Sequence, residues 1–98
     1  MVTDFGLRQC IIEQFKKISS KTPNIKKLVL FGSRAKGNFK YNSDIDLAFE
    51  SSGSINSKYY SDMEDAAELY KLDLLDISEI KEELMLSEIE QGIILFER

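Results

Sequence analysis

Hydrophobic and polar positions along the first third of the chain predict one helix followed by one strand. Residues 3–20 carry apolar side chains at spacings of three and four, which predicts an amphipathic helix with Thr3 or Asp4 as its cap. Pro23, the single proline, ends that helix. Residues 25–31 predict a strand, and its apolar run from Leu28 to Phe31 indicates burial on both faces.

The rest of the chain predicts further alternation of short helices and strands. After a helical turn over 33–37, polar and apolar side chains alternate over 44–49, which is typical of a strand, and residues 50–57 predict a mobile loop. We expect a helix over 58–70, a strand over 72–77, and a helix over 78–85 that Ser78 caps. Ser87 and Glu90 have the spacing of a capping box and predict a last turn, before a strand over 93–96. These elements predict an α/β (α+β) fold with a small mixed sheet of three or four strands packed against helices.

Length and composition limit the classes of protein to which this chain can belong. The 98 residues are enough for a single domain, which we place over 1–98, and they contain no repeat or internal boundary. No apolar run approaches the ~20 residues that cross a bilayer, and the N-terminus lacks the layout of a signal peptide. Cys10 is the single cysteine and cannot form an internal disulfide. We therefore expect a cytoplasmic protein that does not contact a membrane.

Charge and the missing histidines restrict the chemistry. The net charge is −4, and acidic residues balance the lysines, which disfavours direct binding of nucleic acid. The chain has no histidine, so the usual general base and the usual zinc ligand are both missing. Any catalysis must use carboxylates, hydroxyl groups, lysine or a hard metal ion.

Two short motifs are candidates for that chemistry. Gly32 and Ser33 end an apolar strand, where glycine permits close approach of a ligand and free amides favour a phosphate; alone, such a turn more often only terminates a strand. Asp44 and Asp46 share one face of a strand, with roughly 6.5–7 Å between their Cα atoms. Their oxygens suit Mg²⁺ or Mn²⁺, and two adjacent like charges are costly there without a cation. The alternative is an edge strand with two solvent-facing acids.

Other charged residues near these motifs leave alternatives open. Asp73 and Asp76 are three residues apart on a predicted strand, so only one of them can join the face of Asp44 and Asp46. Asp76 can instead lie at the strand exit or near the next helix start, and either acid can be structural. Arg34 and Lys36 are placed to meet negative charge near the Gly-Ser turn, or are solvated turn residues.

Residues 30–37 have the sequence Leu30-Phe31-Gly32-Ser33-Arg34-Ala35-Lys36-Gly37, and ten residues separate Ser33 from the string Asp44-Ile45-Asp46. Together these strings and their spacing resemble the signature of the DNA polymerase beta-type nucleotidyltransferase superfamily. Within it, the chain resembles the minimal nucleotidyltransferases, including the MntA-type antitoxins that are paired with a HEPN-domain partner. Residues 72–76 resemble the segment that holds the third carboxylate of this family, and residues 94–98 resemble its usual ending. Lys36 stands where arginine is commoner, which keeps the charge.

The resemblance implies an enzyme that transfers a nucleoside monophosphate, AMP from ATP, to a hydroxyl group on a HEPN-domain protein. It implies that Gly32 and Ser33 hold the β- and γ-phosphates, with Arg34 and Lys36 beside them, and that Asp44, Asp46 and Asp73 are the catalytic, Mg²⁺-binding carboxylates. Since the chain has no extra domain to grip the acceptor, a partner protein or a second copy is expected to supply it. The alternatives are a binding module that neutralises its partner without catalysis and a transferase for small molecules such as aminoglycosides.

Overall fold

The computed structural model describes residues 3–98, which form four α-helices, four strands and a 3₁₀ turn. Apolar and polar positions change period along the chain, so helical and extended segments follow one another. In chain order the elements are α1 Gln9–Ser20, β1 Ile25–Phe31, α2 Ser33–Lys36, β2 Ile45–Ser51, α3 Ser57–Ala66, β3 Leu72–Asp76, the 3₁₀ turn Ile77–Glu79, α4 Glu83–Glu90 and β4 Ile93–Glu97.

The four strands form one mixed sheet in the order β3-β2-β1-β4. β1 pairs antiparallel with both β2 and β4, whereas β2 pairs parallel with β3. The run from Leu28 to Phe31 is buried because β1 is an inner strand that is covered on both faces. The predicted α/β (α+β) class, with a small mixed sheet packed against helices, is confirmed.

Two apolar clusters cover the two faces of this sheet. On one face α1 and α3 pack over alternate residues of β1 and β2, and the fully buried members include Phe15, Met63 and Leu47. On the other face Val29 and Phe31 pack with Ile89 of α4. The period of two along β1 therefore sends its side chains into two separate cores. Within residues 3–98, no helix combines the length and apolar character needed to span a membrane.

Both long helices are shorter than the periodicity predicts. α1 begins at Gln9 instead of Thr3 because Gly6 has a φ of 73° and the Thr3 hydroxyl donates to the Leu7 carbonyl, which closes a turn ahead of the helix. α3 ends at Ala66 instead of Tyr70, and Glu68 has a φ of 59°, which is incompatible with a continuing right-handed helix. Apolar residues beyond each end still contact the core, so they extend the pattern without extending the helix.

The predicted helix over 78–85 is wrong. Asp76, and not Ser78, is the capping residue: its Oδ1 accepts hydrogen bonds from the Ser78 amide at 2.9 Å and from the Ser78 hydroxyl at 2.8 Å. This cap starts only a 3₁₀ turn, and Ile80 then adopts extended backbone. The segment from Ser87 to Glu90 lies inside α4 instead of starting a turn. The predicted last strand is confirmed as β4.

Arg98 fastens the end of β4 to the end of α1. Its guanidinium donates to the carbonyls of Ile25 at 2.7 Å, Ser19 at 3.1 Å, Ser20 at 3.2 Å and Thr22 at 3.3 Å. Three of these carbonyls lie at or just beyond the C-terminal end of α1, where the helix dipole is negative.

We expect Arg98→Met to lower the free energy of unfolding by about 1–3 kcal/mol, because the charged donor is lost and the carbonyls are left to water. Urea unfolding followed by circular dichroism measures this change. Arg98→Lys keeps the charge without the planar fork and should fall between the two proteins. A midpoint for Arg98→Met equal to that of the wild type would contradict this capping role.

Candidate functional site

The residues of interest meet at one end of the sheet because of how the strands are paired. β1 runs antiparallel to β2, so the C-terminal end of β1 lies beside the start of β2, and Phe31 pairs with Asp46. β3 runs parallel to β2, so the start of β3 lies on the other side, and Asp46 pairs with Asp73. Asp46 is therefore placed between the Gly32-Ser33 turn and Asp73 by the strand register.

Gly32 lies directly against the Asp46 carboxylate. Its backbone has a φ of 77° and a ψ of −156°, a conformation that side-chain-bearing residues rarely adopt. A Cβ atom at this position would lie 2.3 Å from Asp46 Oδ2. Glycine is therefore required here for two independent reasons, the backbone angle and the approach of the carboxylate.

Asp46 is held in a strongly negative environment. Its pKa is raised from 3.8 to about 6, first by burial and then by the charges of Asp73 and Asp44, by a hydrogen bond with Asp73, and by the charge of Glu88. A carboxylate whose pKa rises for these reasons marks a place where negative charge is concentrated and incompletely hydrated. A cation bound there would stabilise the ionised form.

Asp44 differs from Asp46 in exposure and in partner. It immediately precedes β2, its side chain is 45% exposed, and its Oδ2 lies 4.0 Å from Nζ of Lys71. An ion pair this long between exposed groups stabilises the fold little. The Asp44 carboxylate thus lies half exposed at the rim, whereas Asp46 lies on a strand with a neighbour on each side.

The structure separates Asp73 from Asp76. Asp73 is in register with Asp46, whereas Asp76 is in register with Phe49, toward the other end of β2. The Asp76 carboxylate accepts the two hydrogen bonds of the 3₁₀ cap. The backbone thus brings Asp73, and not Asp76, next to Asp46.

The donor set at this edge suits a hard divalent cation. Three carboxylates from β2, β3 and the residue before β2 influence one another electrostatically, and carboxylate oxygens are the ligands that Mg²⁺ and Mn²⁺ prefer. In the side-chain orientations seen over residues 3–98, no three acidic or cysteine side chains already converge in a metal-ligating arrangement. The residues fit such an ion by chemistry and by strand placement.

Ser33 and Lys36 lie at the two ends of α2, beside the carboxylates. Ser33 starts the helix, and its carbonyl accepts the amides of Gly37 at 3.0 Å and Asn38 at 3.2 Å. Lys36 Nζ lies 3.2 Å from Oε1 of Glu88 in α4, with both side chains about half exposed. The turn therefore presents a hydroxyl-bearing residue and a half-exposed ammonium group at the same edge of the sheet.

Glu88 is a residue of this region that the sequence did not indicate. It pairs with Lys36 and contributes to the raised pKa of Asp46, although it lies far along the chain in α4. The capping-box interpretation of residues 87–90 did not indicate a role for Glu88, because that interpretation placed Glu88 in a turn and not inside a helix. Only the packing of α4 on β1 brings it near the carboxylates.

Arg34 has an environment that neither sequence interpretation describes. It is only 1% exposed, and its guanidinium donates to main-chain carbonyls of the protein. It is therefore neither a solvated turn residue nor a side chain directed at an open phosphate site.

A groove on the surface lies away from the carboxylate edge, the end of the sheet that carries Asp44, Asp46 and Asp73. A groove of about 500 Å³ lies between the end of α1 and the start of α3, lined by residues such as Lys21, Asn56 and Tyr59, and none of the three carboxylates borders it. Those residues flank the N-terminal end of β1, whereas the carboxylates flank its C-terminal end.

Comparison with known proteins identifies the family and the fold. The family model described as Polymerase beta, Nucleotidyltransferase matches residues 13–98. No curated protein matches the chain.

Solved structures share the fold. A crystal structure of a toxin–antitoxin with AMP-PNP aligns with a TM-score of 0.73 and 22% identity, covering 89% of this chain and 73% of that chain. The toxin–antitoxin MntA–HepT aligns with a TM-score of 0.68 and 20% identity, covering 93% and 74%. A rebuilt structure of a tri-AMPylated Shewanella oneidensis HEPN toxin in complex with MNT antitoxin aligns with a TM-score of 0.67 and 19% identity, covering 92% and 72%. These likenesses show the fold.

Proposed function

Because this chain belongs to the polymerase beta nucleotidyltransferase family, we propose that it transfers AMP from ATP to a hydroxyl group on a partner protein, in a reaction that depends on Mg²⁺ or Mn²⁺. The observation that carries the proposal is the register that places Asp46 between Gly32 and Asp73. This register brings the Gly32-Ser33 turn and several carboxylates together at one exposed edge of the sheet. The same proposal places the reaction in the cytoplasm, where ATP is available.

Each residue has a role in this proposal. Gly32 and Ser33 hold the β- and γ-phosphates, and Lys36 leaves Glu88 to neutralise phosphate charge. Asp44, Asp46 and Asp73 would hold a divalent cation. When bound, this cation would offset charge on the triphosphate and lower the pKa of the acceptor hydroxyl. Positioning and charge neutralisation, without a covalent intermediate on the protein, then supply the rate acceleration.

The reaction balances with a carboxylate as the proton acceptor. The acceptor oxygen forms a bond to the α-phosphorus, the bond from that phosphorus to the bridging oxygen breaks, and pyrophosphate leaves. The hydroxyl proton passes to Asp73 or to solvent, since the chain has no histidine to receive it. Asp73 suits this task because it lies in register beside Asp46 at the start of β3.

The proposed partner is a HEPN-domain protein that presents a tyrosine hydroxyl. A structure of similar fold supports it, since it contains a tri-AMPylated HEPN toxin in complex with an MNT antitoxin. A partner seated over the carboxylate edge would supply the acceptor hydroxyl at the reacting phosphate.

The test is transfer of label from ATP carrying ³²P at the α-phosphate, with Mg²⁺ and the HEPN-domain product of a neighbouring gene. We expect label on the partner, an Asp73→Asn variant that is slower by about 10²-fold or more, and an Asp76→Asn variant that keeps nearly full activity, since asparagine can still cap the 3₁₀ turn. Equal losses for the two variants would contradict the assignment of Asp73. A stable complex with no label from any of the four nucleoside triphosphates would instead support a non-catalytic binding module.

A further inference from the structure

Arg34 is a buried cation whose two Nη atoms donate to main-chain carbonyls and whose guanidinium lies against aromatic rings, while its buried Nε has no hydrogen-bond partner among residues 3–98. Its Nη1 donates to the Phe5 carbonyl at 2.8 Å, and its Nη2 donates to the Ser43 carbonyl at 2.7 Å and to the Tyr41 carbonyl at 3.5 Å. A fixed guanidinium fork is suited to such multiple bonds, whereas lysine is not. Within residues 3–98 no carboxylate pairs with this guanidinium, and a buried charge is costly unless it is hydrogen-bonded, so the carbonyl contacts hold it in one position.

Two aromatic side chains and a closely packed glycine also surround the Arg34 guanidinium. The guanidinium carbon lies 5.3 Å from the centre of the Phe39 ring and 4.9 Å from that of Tyr70. At Gly6, a Cβ atom would lie 3.0 Å from Arg34 Nη1 and 2.2 Å from Phe39 Cε2. The segment ahead of α1 is therefore packed directly onto Arg34 and has no room for a side chain at Gly6.

The carbonyls that Arg34 binds belong to the segments that flank the carboxylate edge. Ser43 immediately precedes Asp44, and Arg34 itself immediately follows Ser33. One guanidinium thus joins the Gly-Ser turn to the segment that carries Asp44 into β2. The Phe5 carbonyl adds the N-terminal segment to the same junction.

We propose that Arg34 is a positioning residue that fixes Asp44 relative to Ser33 and Asp46, and so sets the spacing between the phosphate-binding turn and the metal-binding carboxylates. The proposal rests on the proposed function, because it assigns Arg34 a role at that same site. It replaces direct contact between Arg34 and the nucleotide, since both Nη atoms already donate to carbonyls and the side chain is only 1% exposed.

The test compares two disturbing variants with one matched control. Arg34→Lys keeps the charge and removes the fork, and Phe39→Leu removes a ring from the guanidinium while keeping an apolar side chain, which provides a second route if Arg34→Lys fails to fold. Lys40→Met removes a positive charge from the same loop at an exposed position. All three are measured as full-length chains by Mn²⁺ titration calorimetry, by transfer kinetics, and by amide hydrogen exchange of Ser43 and Asp44.

For Arg34→Lys we expect the Mn²⁺ dissociation constant to rise by about tenfold and kcat to fall by about 10²-fold, with KM for ATP within about twofold of wild type. Phe39→Leu should shift the same quantities in the same direction by less, and Lys40→Met should leave them unchanged. The Ser43 and Asp44 amides should exchange faster only in the two disturbing variants.

Three results would overturn the proposal. A raised KM for ATP with unchanged kcat and Mn²⁺ affinity would show direct nucleotide contact. A lowered melting temperature with unchanged Mn²⁺ affinity and unchanged activity per folded molecule would show a purely structural role. If the wild type transfers no label, the proposed function fails, yet the Mn²⁺ and exchange measurements still decide the role of Arg34; unchanged values in both would refute it.

Discussion

Replacing Asp46 with asparagine should stabilise the metal-free protein at pH 7 while reducing transfer by about 10²- to 10³-fold. The folded state raises the pKa of Asp46 from 3.8 to about 6, so it binds this proton more tightly than the unfolded chain does. Ionised Asp46 therefore lowers the free energy of unfolding progressively from pH 4 to pH 6, and fully at pH 7. Asparagine has the same shape and no charge to desolvate.

After allowance for solvent screening of this partly exposed group, we expect a gain of about 1 kcal/mol at pH 7, or about 4–8 °C in melting temperature. Thermal unfolding with EDTA at pH 3.5 and at pH 7 measures it, and the difference between wild type and variant should nearly vanish at the lower pH. Asp65→Asn, an exposed acid in α3, is the matched control and should change little. A lower melting temperature for Asp46→Asn at pH 7 would mean that the carboxylate is stabilised in the fold.

Replacing Gly32 with alanine should have the largest combined effect on stability and activity. The new Cβ would lie 2.3 Å from Asp46 Oδ2, and alanine would also have to adopt a φ of 77°. We expect a loss of about 2–4 kcal/mol of stability and of about 10²-fold or more in transfer rate, because the displaced carboxylate leaves its place beside Asp73.

Gly37→Ala separates these two causes. Gly37 has a φ of 84°, yet a Cβ atom there would meet nothing within 4 Å. This variant should therefore lose only the backbone term, about 1 kcal/mol, and keep its activity. Urea unfolding and label transfer, measured side by side, distinguish the two variants. Equal activities of the two alanine variants would show that close approach at Gly32 is irrelevant to transfer.

The strands were more predictable from the sequence than the helices. β1 was predicted over its full range, and β4 within one residue, because runs of apolar residues bounded by polar turns define buried strands locally. The helix ends depended on left-handed backbone at Gly6 and Glu68 and on the Asp76 cap. These features are decided by what each turn packs against, which periodicity does not record.

Some residues of the candidate site could likewise be predicted from the sequence, and others could not. Asp44 and Asp46 stood out because a pair of acids on an otherwise apolar strand is unusual, and their closeness to Asp73 follows from strand register. That all three act in catalysis stays a prediction. Arg34 and Glu88 could not be placed from sequence, since a basic residue in a polar turn is normally solvated and Glu88 acts across the sheet from another helix.

The pairing of β2 also acts as a check on correct assembly of the site. Ile45, Leu47 and Phe49 are fully buried on one face, whereas Asp46 faces the other way. A slip of β2 by a single residue would turn Asp46 into that apolar core and move the large side chains to the opposite face, where the second apolar cluster has room only for the small Ala48. Misregistered chains would thus be unstable as well as inactive. The apolar face of β2 therefore couples correct folding to correct placement of the carboxylates.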